Sequence, residues 1–315
     1  MKKLGVAVIG AGFWGRNHAR VFSELPNTEL VAVCDVNRER AQSVAEKFEA
    51  EEYVKSGTML KREDIEAVSI CTWATKLAVE AMKVLKAGKH VFVEKPMANT
   101  VQHARRIVDL AEKNGRHVTV GFIERFNPGV QRVKDAIEKG EIGTTVSATA
   151  KRVSQWPERV GDVGVVKDTA IHDIDVMRYL FAQDPIAVYA KAGNLRHIKF
   201  EDYAQIMLTF EGGKTAFLEA NWLTPYKIRN LSVTGSEAMI HLNYLTQEIT
   251  IETAGQSLTP RHAWEEPLKL ELQHFADCIL NNKVPLVTGY DGLKALQIAE
   301  AALKSASKCK TIKLQ

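Results

Sequence analysis

Short apolar runs alternate with helix-length amphipathic stretches along the first part of the chain. Leu4-Gly5-Val6-Ala7-Val8-Ile9 reads as a buried strand, and Arg16 to Glu24 is compatible with a helix. Glu29 to Cys34 reads as a second strand, after which Ala41, Val44, Ala45 and Phe48 recur at helical spacing. Glu66 to Cys71 is a further buried strand, and Leu77, Ala78, Ala81, Val84 and Leu85 make the next helix face, stopped by Gly88. His90 to Val93 is a strand, Ala104, Ile107, Val108 and Ala111 mark a helix ending near Gly115, and His117 to Val120 closes the series. This alternation predicts a parallel sheet covered on both faces.

After Gly121 the pattern changes. Residues 144–153 read as a strand, 173–182 as a helix, and 186–252 as a meander of strands. Ala216, Leu218, Ala220 and Trp222 alternate with Phe217, Glu219 and Asn221, and Ala204, Ile206, Leu208 and Phe210 alternate with Gln205, Met207 and Thr209. Strict alternation marks antiparallel strands with two unlike faces. Residues 254–267 read as a polar loop, followed by helix faces at Leu268, Leu272, Phe275, Ala276 and Ile279 and at Leu293, Leu296, Ala299 and Leu303. The expected class is α/β. An N-terminal Rossmann domain with a doubly wound parallel sheet (1–122) precedes a C-terminal α+β domain on a largely antiparallel sheet (123–315), with the last helix a candidate to pack back on the first domain.

A length of 315 residues suffices for two such domains. With 45% hydrophobic and 25% charged residues the chain has the profile of a soluble globular protein. Its 42 basic and 38 acidic residues leave a net charge of +4, too small and dispersed to argue for nucleic acid or membrane as partner. Cys34, Cys71, Cys278 and Cys309 lack metal-ligand spacing, which favours reduced thiols in a cytoplasmic protein. The N-terminal apolar run is broken by Gly10 and Gly12 and meets Arg16, so it reads as a first strand and not a targeting segment.

Chemistry enters at Gly10-Ala11-Gly12-Phe13-Trp14-Gly15, which joins the first strand to the first helix. In such a turn the first glycine makes the bend, the second lets backbone approach a pyrophosphate, and the third lets helix pack on strand. Asp35 ends the second strand 20 residues beyond Gly15, where a carboxylate can accept from ribose hydroxyls. Together these predict a dinucleotide site. Asp35 would repel a 2′-phosphate and so selects NAD over NADP, with Arg38 as a partial compensation.

Glu94-Lys95-Pro96 follows a strand at the carboxyl end of the sheet, where ligands bind. Lys95 there can polarise a substrate oxygen or help carry its proton, and the alternative is a solvated surface lysine; the Lys95–Pro96 bond is expected to be cis. Asp168 and His172 are four residues apart at the start of a helix, so Asp168 is either a partner of His172 or a cap. The helix dipole would keep His172 neutral and able to accept a proton at about pH 7. A zinc site lacks a further His or Cys cluster, and no metal is expected.

The three motifs in this order resemble the glucose–fructose oxidoreductase/inositol dehydrogenase/rhizopine catabolism (Gfo/Idh/MocA) family over nearly the whole chain. Glu124-Arg125-Phe126-Asn127-Pro128, the run His172 to Tyr179 and Asn221-Trp222-Leu223-Thr224-Pro225 are most similar to its nucleotide-sugar branch, the UDP-N-acetylglucosamine 3-dehydrogenases. The resemblance implies a dehydrogenase using NAD to oxidise a secondary hydroxyl, such as C3 of a UDP-sugar, with Lys95, Asp168 and His172 around the carbinol. Inositol or free-sugar oxidation is the alternative within the family, and a non-catalytic dinucleotide sensor is the alternative outside it. The expected cofactor residues are Gly10, Gly12, Phe13, Trp14, Gly15, Asp35, Arg38, Thr72, Glu94 and Lys95. Arg125, Asn127, Arg152 and Arg159 join Lys95, Asp168 and His172 on the substrate side, arginine being suited to a diphosphate. Trp73 and Leu77 stand where many members carry Pro and His, and Ala170 where a glycine is common. The open sheet face of the second domain implies a homodimer or homotetramer.

Overall fold

Strand β1 (Leu4–Ile9) is buried at every position, which explains its uninterrupted apolar run. The computed structural model describes residues 3–157 and 161–314. After β1 come α1 (Phe13–Glu24), β2 (Thr28–Cys34), α2 (Arg38–Lys47), β3 (Glu51–Tyr53), α3 (Ser56–Met59), β4 (Ala67–Ile70), α4 (Ala74–Lys86), β5 (His90–Val93), α5 (Val101–Asn114) and β6 (Val118–Val120). The six strands are ordered β3-β2-β1-β4-β5-β6, and every neighbouring pair is parallel. That is the doubly wound Rossmann order, whose topological reversal lies between β1 and β4. Local signals bound the helices at both ends. The Asn37 side chain accepts from Arg40 N–H at 2.9 Å, and Gly115 closes α5 in the left-handed region with φ 59°. The Lys95–Pro96 bond is cis.

Beyond a 3₁₀ turn at Ile123–Phe126 the chain forms α6 (Pro128–Glu138), β7 (Thr145–Val153) and α7 (Ile171–Phe181). Then come β8 (Ala187–Gly193), β9 (Tyr203–Thr209), β10 (Thr215–Asn221), β11 (Ile228–Gly235), β12 (Met239–Asn243), β13 (Ile249–Glu252) and β14 (Ser257–Leu258). Helices α8 (Pro267–Leu280) and α9 (Gly289–Lys308) and strand β15 (Ile312–Lys313) follow. The second sheet is ordered β14-β13-β12-β11-β7-β10-β9-β8-β15; its pairs are antiparallel except β7 with β10. Ala216, Leu218 and Ala220 are buried with Ala204, Ile206 and Leu208 on one face. On the other, Phe217, Met207 and Tyr189 form a row across β10, β9 and β8, with Phe217 exposed. The polar stretch after β13 contains one short strand, β14, so it is not wholly loop.

The chain divides into two units, Met1–Phe122 with Leu268–Leu293, and Ile123–Pro267 with Lys294–Gln315. Within the first, Phe275 of α8 meets Phe92 of β5 edge-on at 5.6 Å, and a Cβ at Gly292 would lie 2.6 Å from Met97 Sδ and Val120 Cγ2. Among the described residues no helix is long and apolar enough to cross a membrane.

Helix α1 packs closely against the residue that follows β1, where a Cβ on Gly15 would lie 1.6 Å from the Gly10 carbonyl oxygen. Gly15→Ala is therefore expected to cost roughly 1–3 kcal/mol or more by overpacking, which lowers the melting temperature by about 2–4 °C per kcal/mol. Gly57→Ala is the control, since a Cβ there meets nothing within 4 Å. Equal thermal transitions for the two variants would contradict the close packing.

Candidate functional site

The glycine turn divides its work among three residues. Gly10 has φ +96°, and a Cβ on it would meet Cys71 O at 2.7 Å and Thr72 N at 3.0 Å, so only glycine fits beside the β4–α4 connection. Gly15 permits the contact just described. Around Gly12 a Cβ would meet nothing within 4 Å, and this open space is where backbone can approach a phosphate. Gly12 caps α1 without a side-chain hydrogen bond, and the first intrahelical bond runs from Arg16 N–H to Gly12 O. The N–H groups of Phe13, Trp14 and Gly15 thus precede the helix's own hydrogen bonding, the arrangement that receives a pyrophosphate.

Asp35 is held ready beside this turn. Its Oδ2 accepts from Ala11 N–H at 2.7 Å, and its Oδ1 from Asn37 N–H at 2.8 Å. Arg38 is exposed and its Nη2 lies 3.4 Å from Glu52 Oε1 on β3, so the cation that could favour a 2′-phosphate already has a carboxylate partner. Phe13 is exposed at the first position of α1 and Trp73 at the N-cap of α4, while the indole Nε1 of Trp14 is buried without a hydrogen-bond partner. Thr72 precedes Trp73 in the connection that Gly10 touches. Leu77, at the place of the usual histidine, is buried in the apolar face of α4. Four free thiols remain, and burial pushes Cys34 up to about 12.

Glu94 and Lys95 are both buried at the end of β5. Glu94 Oε2 accepts from the Lys95 backbone N–H at 3.2 Å, and Glu94 Oε1 lies 3.3 Å from Nε2 of the fully buried His18. On the other side of the ring, Nδ1 is 2.8 Å from Ser69 Oγ. Burial alone would deprotonate His18, but the neighbouring Cys71 and Glu94 outweigh it and push the imidazole up to about 10.

In the second unit, Asp168 lies inside a π-helical turn, Val166–Ala170, that runs directly into α7; Ile171 N–H bonds back to Val166 O. Asp168 is not the cap. The capping carboxylate is Glu201, whose Oε1 accepts from Val166 N–H at 3.1 Å, and Gly164 leaves room for it. The backbone is already helical at Val165, so His172 sits well beyond the first turn, where the dipole effect has faded. Asp168 is instead oriented from its side. Trp222 Nε1 can only donate, and it does so to Thr169 Oγ1 at 3.0 Å; the Thr169 hydroxyl is then free to donate to Asp168 Oδ2 at 3.3 Å.

Two expected phosphate-binding arginines have internal partners. Arg152 holds Asp173 through Nε and Nη2, both at 2.9 Å, and Glu124 through Nη1 at 2.7 Å. Arg125 holds Asp175 through Nε at 2.8 Å and Nη2 at 2.6 Å. All five side chains are buried, and burial together with Asp173 pushes the Tyr244 phenol well above its ordinary range, so it remains a donor to Asp173. Asn127 caps α6, accepting from Gly129 N–H at 3.0 Å and donating to Tyr244 O at 3.0 Å. These residues therefore anchor α7 and α6. Removing one partner of such a buried pair typically costs about 3–5 kcal/mol. Arg159 lies outside the described residues.

His18, Thr169, Glu201 and the acids at 124, 173 and 175 carry this geometry without having been singled out for it. His18 offers a faint signal, a lone histidine on the apolar face that Ala19 and Phe22 make in α1.

Residues 4–122 match the oxidoreductase family, NAD-binding Rossmann fold, and residues 130–241 match the GFO/IDH/MocA C-terminal domain. The scyllo-inositol 2-dehydrogenase (NAD(+)) of Bacillus subtilis (strain 168) is 30% identical over 95% of this chain and 93% of that protein. A solved putative myo-inositol dehydrogenase from Sinorhizobium meliloti 1021 has a TM-score of 0.87 at 27% identity, covering 99% of this chain and 100% of the other. UDP-N-acetylglucosamine 3-dehydrogenase GnnA from Acidithiobacillus ferrooxidans shares the fold, with a TM-score of 0.89 at 24% identity over 98% of this chain and 99% of the other. With a dinucleotide cradle of this geometry and matches across both halves, the chain belongs to the Gfo/Idh/MocA family of NAD-binding oxidoreductases.

Proposed function

We propose that this protein oxidises a secondary hydroxyl of a cyclic polyol or sugar at the expense of NAD. The observation that carries the cofactor half is the cradle itself, with open space at Gly12 and a carboxylate held on the Ala11 amide. The 30% identity to inositol dehydrogenases over 95% or more of this chain supports the substrate half. Oxidation at C3 of a UDP-sugar such as UDP-N-acetylglucosamine is the finer reading. It has less support, because Arg125 and Arg152 are committed to carboxylates.

Bound NAD supplies the hydride acceptor. In this reading His172 takes the hydroxyl proton, Lys95 stabilises negative charge developing on the same oxygen, and Asp168 orients His172 or the sugar. Support comes from each residue's own setting. Lys95 is buried beside Glu94, and Asp168 is buried and aligned by Thr169, as groups that must keep one geometry through a turnover would be. Self-association through the open sheet face with the Phe217 row belongs to the same proposal, since pairing of two such faces would remove those aromatics from water.

Three measurements test these assignments. NAD should bind more tightly than NADP at one salt concentration, and tighter NADP would overturn the role of Asp35. Turnover should appear with myo-inositol or with UDP-N-acetylglucosamine, the one that raises the melting temperature in the presence of NAD. On that substrate Lys95→Met and His172→Ala should each lower kcat by about 10²–10⁴-fold while leaving the Kd for NAD nearly level. Near-normal kcat in both variants would remove the chemistry from these residues.

A further inference from the structure

We propose that His18 is a positioning residue for Lys95: wedged between Ser69 and Glu94, it fixes the Glu94 carboxylate, and that carboxylate fixes the Lys95 main chain. The inference rests on the reading of Lys95 as the group that meets the reacting oxygen.

The Glu94 side chain is only 11% exposed, and a carboxylate so enclosed needs compensation at each oxygen. Oε1 has the His18 ring at 3.3 Å, an ion-pair distance without the alignment of a hydrogen bond. Oε2 has the Lys95 amide at 3.2 Å. Gly121, just past β6, forms a third wall, since a Cβ there would lie 3.0 Å from Oε1 and 3.1 Å from Oε2. A bulkier residue at 121 would push the carboxylate out of this slot.

The ring of His18 is itself held. Ser69 Oγ lies 2.8 Å from Nδ1, Phe92 meets it edge-on at 5.3 Å, and Trp14 does so at 6.5 Å. Ser69 Oγ is in turn 3.7 Å from Cys71 Sγ. The titratable groups facing the ring are Cys71 and Glu94, and Glu94 favours a proton on Nε2, the nitrogen that faces it. A leucine would fill this place on α1 as well as its apolar neighbours do, and a buried imidazole is costly unless its polar atoms are used. One side chain thus links the helix that opens the dinucleotide cradle to the ends of β4 and β5.

The test compares full-length wild type, His18→Leu, His18→Gln and Lys95→Met by amide hydrogen exchange read by NMR, without cofactor or substrate. In His18→Leu the Lys95 amide should exchange about tenfold faster or more, while the Val91 amide inside β5 keeps its wild-type rate. His18→Gln, which can still donate toward Glu94, should restore most of the protection. An unchanged Lys95 amide in His18→Leu overturns the proposal. Equal acceleration at Lys95 and Val91 also overturns it, because it would mean a general loss of stability. The companion assay reads kcat and the Kd for NAD, with His18→Leu expected to lose on the order of 10²-fold in kcat at level affinity. Full turnover in Lys95→Met would sink the catalytic reading of Lys95 and leave the exchange result on His18 standing, so the two failures are distinguishable.

Discussion

The approach of α1 to the end of β1 governs the dinucleotide end of the first unit. Gly15 comes so near the Gly10 carbonyl that any side chain there would collide with it. That contact turns the first amides of α1 toward the open space at Gly12 and sets Ala11 where it can bond to Asp35. It also carries His18, the next buried residue of the helix, into the gap between Ser69 and Glu94. The glycine turn, the Asp35 carboxylate and the Glu94–Lys95 segment thus lie around one close approach of helix to strand.

The second unit solves a different problem, that of holding a helix with two polar groups on a sheet whose inner face is apolar. Asp173 and Asp175 on α7 are gripped by Arg152 on β7 and Arg125 on the 3₁₀ turn, which fixes both the rotation and the register of the helix. Buried ion pairs of this kind contribute little net stability, because desolvation offsets the attraction. Their value here is geometric. With α7 held by these pairs, Thr169, directed by Trp222, donates to Asp168. The π turn in which it sits is the sort of local widening often found where a side chain must be presented at an angle a regular helix does not give.

The sequence was most legible where short-range rules apply. Strand, glycine turn, helix and Asp35 follow each other within one βαβ unit, so spacing alone identified them, and the Glu94-Lys95-Pro96 segment was placed by its strand. Partners far apart in the chain were not legible. Spacing leaves Asp168 as either a partner of His172 or a cap, because carboxylates cap helices locally; the cap is Glu201, brought in by the turn before β9. The carboxylate partners of Arg125 and Arg152 lie 50 and 21 residues away, so spacing could not show them. Elements of two to four residues, such as β3, α3 and β14, are too short to show a period. The membership of α8 in the first unit depends on what its apolar face meets, Phe92 among others, and periodicity does not encode that.

The central claim is that the turn from Gly10 to Gly15 and the Asp35 carboxylate are already arranged for NAD before it arrives. A crystal structure of the chain with NAD tests this directly. The account predicts the pyrophosphate against the amides that follow Gly12, the adenosine ribose within hydrogen-bonding reach of Asp35, and backbone shifts in this turn below about 1 Å. A dinucleotide bound elsewhere, or a turn rebuilt around it with Asp35 facing away from the ribose, would contradict it.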